Sequence, residues 1–109
     1  MLEKVLEILN KAVVKNIVVY EMKEVTPYYD YSIIASVNSN RQGAAAINYL
    51  KKDMSELGYK VRSFSSSSEA NLFLIDLDDI VVHIFVGDER ERYNLDGIYA
   101  HLPKTYIND

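Results

Sequence analysis

The segment from Ile80 to Val86, Ile-Val-Val-His-Ile-Phe-Val, constrains the fold of this chain more than any other. It is apolar on both sides except for His83. A strand with that pattern belongs in the middle of a sheet covered on each face, because a half-solvated strand alternates apolar with polar residues. The imidazole inside it asks for a partner, since buried polar groups in folded proteins are hydrogen-bonded.

The rest of the chain offers the covering layers. Leu2, Val5, Leu6, Leu9, Ala12 and Val13 recur at helical spacing, with Glu3, Lys4, Glu7 and Lys11 opposite, so the chain opens on an amphipathic helix. Ile17 to Met22 reads as a strand, followed by a turn in which Pro27 ends pairing. Tyr31 to Val37 is the second strand. Ser39 with Gln42 three residues on predicts a capping box. Gly43, Ile47, Leu50, Met54 and Leu57 then form one buried helical stripe, and Gly58 stands where a left-handed residue closes a helix. Tyr59 to Phe64 follows as a strand, reached by a crossover from the second strand and parallel to it. Ser65 to Ser68 reads as a short serine loop.

Leu72 to Ile75 and Ile80 to Val86 are the fourth and fifth strands, joined by a hairpin at Asp76-Leu77-Asp78-Asp79, where aspartate tolerates positive φ. Asp88 and Glu91 read as a second cap opening a last helix, and Pro103 ends the folded part. The order α-β-β-α-β-β-β-α predicts an α/β fold with a mixed five-stranded sheet and flanking helices. The expected layout is one domain over residues 1–103 with a frayed tail over 104–109.

The chain has 109 residues, a size at which folding buries roughly 65% of the unfolded surface without help from metals or disulfides. There is no cysteine, so no disulfide, catalytic thiol or thiolate metal site is available. No apolar run approaches the roughly 18 residues that cross a bilayer. Glu3 and Glu7 in the first turns speak against a signal or transit peptide, and the expected location is the cytoplasm. The net charge of −4, with scattered Lys and Arg, argues against a chain held on nucleic acid by phosphate neutralisation, which needs a basic stripe; no direct sequence-specific nucleic-acid partner is expected, and room is left for a basic protein partner.

Two groups of residues resemble signatures of a known family. The first is Asp30-Tyr31, Ala35-Ser36, Ser39 and Arg41; the second is Asp76, Asp79 through Phe85, Arg90, Tyr93, Leu95 and Asp96. Together they resemble the ribosomal silencing factors, related to Iojap proteins, over roughly residues 5 to 99. The resemblance implies a nucleotidyltransferase-like fold without catalytic equipment. It implies binding to large-subunit ribosomal protein fourteen, which keeps the small subunit from joining and represses translation under nutrient limitation. It also implies a role in subunit maturation as an alternative and a homodimer in the free state; no membrane partner and no cofactor are expected. Three positions depart from the family's habit: Leu72 and Tyr99 where tryptophan is usual, and Asp78 where glycine is usual.

The expected partner-binding residues are Leu72, Leu74, Asp76, Leu77, Asp79, His83, Arg90 and Tyr93. Leu72, Leu74 and Asp76 share one strand face by alternation. His83 lacks the further ligands a metal needs and reads as an organiser of the sheet face. Asp76 and Asp78 have the Asp-x-Asp spacing of a divalent-metal nucleotidyltransferase, the alternative enzymatic reading. That chemistry also needs a glycine-bearing phosphate cradle at a helix start, and Val37-Asn38-Ser39 has none. Turn and interface roles are therefore expected for the aspartates, with no catalytic residue and no metal. Arg41, placed against the dipole at a helix start, is expected to pair with a carboxylate such as Asp30 or to be exposed.

Overall fold

The structure, a computed structural model, describes residues 1–64 and 71–107. The serine loop at 65–68 lies outside the described residues. The chain runs α1 (Leu2–Lys11), β1 (Lys15–Glu21), β2 (Tyr31–Val37), α2 (Asn40–Glu56), β3 (Arg62–Phe64), β4 (Leu72–Asp76), β5 (Ile80–Val86), α3 (Glu89–Tyr93), α4 (Leu95–Ile98) and β6 (Lys104–Tyr106). The strands form one mixed sheet in the order β3-β4-β5-β2-β1-β6.

β5 lies inside that sheet, as its composition requires. It pairs in parallel with β2, Tyr31 opposite Ile80 through Val37 opposite Val86, and antiparallel with β4. Ile80, Val82 and Ile84 face the main core with Ile33, Ala35 and Val37 of β2. α1 and α2 cover that face through Val5, Leu9, Ala46, Leu50 and Met54. Each fully buried aliphatic chain there contributes about 1.5–3 kcal/mol of transfer free energy. Gly43 lets α2 sit close to the sheet, since a Cβ there would stand 2.4 Å from the Phe73 ring.

The termini of α2 show how the sequence sets its limits. Ser39 Oγ accepts from the Gln42 N–H at 3.3 Å, and Gln42 Oε1 accepts from the Asn38 N–H at 2.8 Å. The reciprocal bond reaches one residue further back than the expected capping box. At the other end Gly58 has φ +91°, and the N–H groups of Gly58 and Tyr59 bond the Ser55 and Met54 carbonyls. This double closure satisfies carbonyls that the helix leaves free.

The structure corrects several expectations. β3 is shorter than expected; it is parallel in direction to β2 but pairs with β4, so the crossover skips two places. Residues 104–106, read as tail, form a sixth strand that pairs with Val18, Val19 and Tyr20 of β1. The last helix is two short ones, parted by Asn94 at φ +53°. Asp88 occupies the cap position, but its side chain makes no capping bond.

Candidate functional site

The second face of the sheet is covered unevenly. Over β5, β2 and β1 a smaller core forms from Val18, Tyr20, Met22, Ile34, Phe85 and Leu102, with Leu95 and Tyr99 packed against it. Tyr93 of α3 lies against Phe85 with ring centroids 5.4 Å apart, and Tyr99 meets Tyr20 edge-on at 5.4 Å. Towards β4 this cover gives out. Leu72, Leu74 and Asp76 of β4 and Val81 and His83 of β5 stay half-buried, with Leu74 directly opposite His83 and Asp76 opposite Val81. Directly opposed residues of an antiparallel pair share one face, so these side chains form one patch.

A charged clamp holds α3 and α4 beside that patch. Arg90 donates from Nε to Asp96 Oδ2 at 2.9 Å and from Nη2 to Asp96 Oδ1 at 3.2 Å. Its Nη1 donates to the Asn16 carbonyl at 2.6 Å and to Ser36 Oγ at 2.9 Å. The Tyr20 hydroxyl donates to Asp96 Oδ1 at 2.6 Å. Asn16 sits at φ +53° where the β1–β2 register shifts, and this irregularity leaves its carbonyl free for Arg90. Burial acts to raise the Asp96 pKa, but the Arg90 and Tyr20 bonds outweigh it and hold the carboxyl below its ordinary value. Burial, then the Asp96 contact, pushes the Tyr20 hydroxyl well above its ordinary range.

His83 has the partner its position asks for. Nδ1 lies 3.3 Å from the Ile33 carbonyl and 3.4 Å from Ser32 Oγ, long contacts at the margin of hydrogen bonding. A carbonyl only accepts, so the bond to Ile33 puts the proton on Nδ1 and leaves Nε2 an acceptor. Burial lowers the His83 pKa, partly offset by the Ile33 bond, and the ring is neutral near pH 7.

The expected site residues separate into three groups. Leu72, Leu74, Asp76 and His83 come together on the patch, with half-exposed Tyr93 on the neighbouring helix. Arg90 is spent on the clamp, where it positions α3. Leu77 is 0% exposed and belongs to the main core, so it presents nothing to a partner. Alternation foretells this: 72, 74 and 76 point one way, and 75 and 77 the other. Asp79 is exposed, and its carbonyl receives the N–H groups of Asp30 and Tyr31, tying the hairpin to the start of β2.

The aspartate hairpin behaves as a turn. Asp78 adopts φ +76°, and Asp76 Oδ1 accepts the Asp78 N–H at 2.9 Å. Among the described residues no three His, Asp or Glu side chains are grouped to hold a metal ion. Arg41 is exposed and makes no ion pair with Asp30. Val81 and the clamp partners Tyr20 and Ser36 were not expected at the site. Tyr20 and Asp96 stand 76 positions apart, and no local spacing signals such a bond.

The profile of ribosomal silencing factors acting during starvation matches residues 1–109. The chain belongs to the ribosomal silencing factor family. It is 33% identical over 93 residues to ribosomal silencing factor RsfS of Halalkalibacterium halodurans, spanning 85% of this chain and 80% of that one. With RsfS of Bacillus subtilis it is 34% identical over 89 residues, 82% of this chain and 75% of that one. A Bacillus halodurans crystal structure superposes with a TM-score of 0.81 at 31% identity, covering 97% of this chain and 96% of that one. A Chromobacterium violaceum crystal structure, at 23% identity and a TM-score of 0.83 over 98% of this chain and 89% of that one, shares the fold. In this silencing factor the α/β architecture with a mixed sheet and flanking helices stands as expected. No helix among the described residues is long and apolar enough to cross a membrane.

Proposed function

We propose that this silencing factor works without making or breaking a bond, by seating the open β4–β5 patch on ribosomal protein fourteen of the large subunit. The bound domain then stands where the small subunit must dock and represses translation. The observation that carries this reading is the uneven cover of the second sheet face, which leaves Leu72, Leu74, Val81 and His83 half-buried and adjacent. A contiguous apolar patch rimmed by polar groups is the usual mark of a protein-binding surface. Asp76, Asp78 and Asp79 stand at one end of it, and the net charge of −4 favours the approach of a basic ribosomal protein. The neutral His83 lets the patch desolvate without burying a charge.

Leu72 supplies less contact area than the tryptophan usual in the family, and leucine is under-represented among interface hot spots. The binding energy therefore rests more on Leu74, Tyr93 and the aspartate end. The same reading places the protein in the cytoplasm with ribosomes, as a homodimer when free, and gives it no enzymatic activity.

The test mixes purified small and large subunits with an excess of the protein and follows joining by sedimentation. Joined particles should decrease, and Leu74→Arg should restore them while the variant melts like the parent. Unchanged joining at large excess would sink the reading. Binding to isolated ribosomal protein fourteen fixes the partner, and sedimentation equilibrium of the free protein checks the dimer.

A further inference from the structure

β2 and β5 are the only parallel neighbours in the described sheet, and the chain leaves their carboxyl ends in opposite directions. From β2 it enters α2, which packs on the main core. From β5 it enters α3, whose Tyr93 packs on the other face against Phe85. Where consecutive crossovers part to opposite faces of a sheet, a crevice opens outside the strand ends, and ligands of α/β proteins bind in such crevices. Here the crevice is real: a cleft of about 650 Å³ lies there, bounded by β1, the ends of β2 and β5, and α3. Its volume falls in the range of small-molecule sites.

The chemistry of the lining selects among ligands. Arg90 and Asp96 form part of the wall but neutralise each other and are satisfied by Tyr20, Ser36 and Asn16. That leaves one cation and one anion on the cleft without an ion-pair partner among the described residues, Lys15 from β1 and Glu91 from α3. The amides of Asn38 and Asn94 add neutral donors and acceptors between elements. A polyanion would meet Glu91 as well as Lys15, and a cation would meet Lys15 as well as Glu91. A small molecule carrying both charges satisfies both.

We propose that this cleft binds a small zwitterion of the amino-acid or dipeptide class, its carboxylate on Lys15 and its ammonium on Glu91. The site is separate from the docking patch and does not depend on the docking reading. It does share α3 with that patch, because Glu91 lines the cleft and Tyr93, two residues on, packs beside the patch. In a family described as acting during starvation, a free nutrient is a ligand with a consequence.

The test uses the free protein, with no ribosome present. L-amino acids and short dipeptides are titrated one at a time to millimolar concentration, by calorimetry and by amide shift mapping. At least one should bind saturably, with shifts centred on Lys15, Asn38 and Glu91. Its N-acetyl derivative, lacking the ammonium, and its amide, lacking the carboxylate, should each bind about tenfold more weakly or worse. Lys15→Ala and Glu91→Gln should do the same while leaving the melting temperature in place, since both side chains are exposed. No saturable binding by any of these probes overturns the proposal. So does binding that ignores both substitutions, or saturable binding of a nucleoside monophosphate, titrated as a control, where no amino acid or dipeptide binds.

Discussion

Replacing Arg90 by alanine tests the clamp most directly. The substitution removes a forked ion pair to Asp96 and two further bonds, to the Asn16 carbonyl and Ser36 Oγ. Exposed ion pairs contribute about 0–1 kcal/mol, whereas breaking a buried one costs about 3–5 kcal/mol. The Arg90 and Asp96 side chains are 15% and 33% exposed, so the pair lies between these limits. Asp96 keeps its bond from Tyr20, and water can reach part of the carboxylate, so a loss of about 2–3 kcal/mol is expected. Unfolding entropy of about 2.1 cal/mol/K per residue gives about 0.23 kcal/mol/K for 109 residues, and the loss becomes a drop of about 9–13 °C in Tm. Arg90→Lys keeps the charge but not the fork and should recover about half of it. The Asp96 pKa is depressed in the fold, so its contribution is present above the unfolded carboxylate value and fades as pH falls through the folded one. The penalty of Arg90→Ala should therefore shrink in acid. Calorimetric melting of parent and variant near neutral pH and again in acid measures both effects. A variant that melts within about 2 °C of the parent, or whose penalty is the same in acid, would refute the clamp as a stabilising device.

Leu77→Arg should unfold the domain rather than weaken docking, because an unpaired charge in the core costs more than about 4 kcal/mol; circular dichroism checks this directly. Asp78→Gly should stabilise by about 0.5–1 kcal/mol in urea unfolding, since glycine takes the φ of +76° without strain. His83 resists protonation in the fold, so stability should decline as pH drops from about 6.5 towards its lowered folded value and level off below it. His83→Gln should flatten that decline in urea melts taken across the same range.

Much of the fold was legible because it rests on period and punctuation. The bounds expected for β2 and β5 are those observed, since both strands are nearly continuous apolar runs. Gly58 closes α2 as its left-handed preference implies. What escaped was set by distant partners. β6 is three residues long and directly follows Pro103, so nothing local distinguishes it from a tail; β1 makes it a strand. The break at Asn94 has neither glycine nor proline at it, so the run from Glu89 to Ile98 reads as one helix. At the candidate site, strand alternation puts Leu72, Leu74 and Asp76 on one face of β4, as in the structure, and the same rule, carried one residue further, turns Leu77 inward. The clamp joins β1, β2 and α3–α4, and only the assembled sheet brings those groups into reach.

The alternation along β4 also separates two kinds of selection. Phe73 and Ile75 hold the core, while Leu72, Leu74 and Asp76, interleaved with them, carry the proposed docking. On the proposed reading, substitutions at the even positions change the docking surface, although Leu72 also packs against the second core and Asp76 bonds the hairpin turn. Those at the odd positions are held by packing whatever the partner does. Leu72 is a position of the first kind, a leucine on the proposed docking face rather than in the main core.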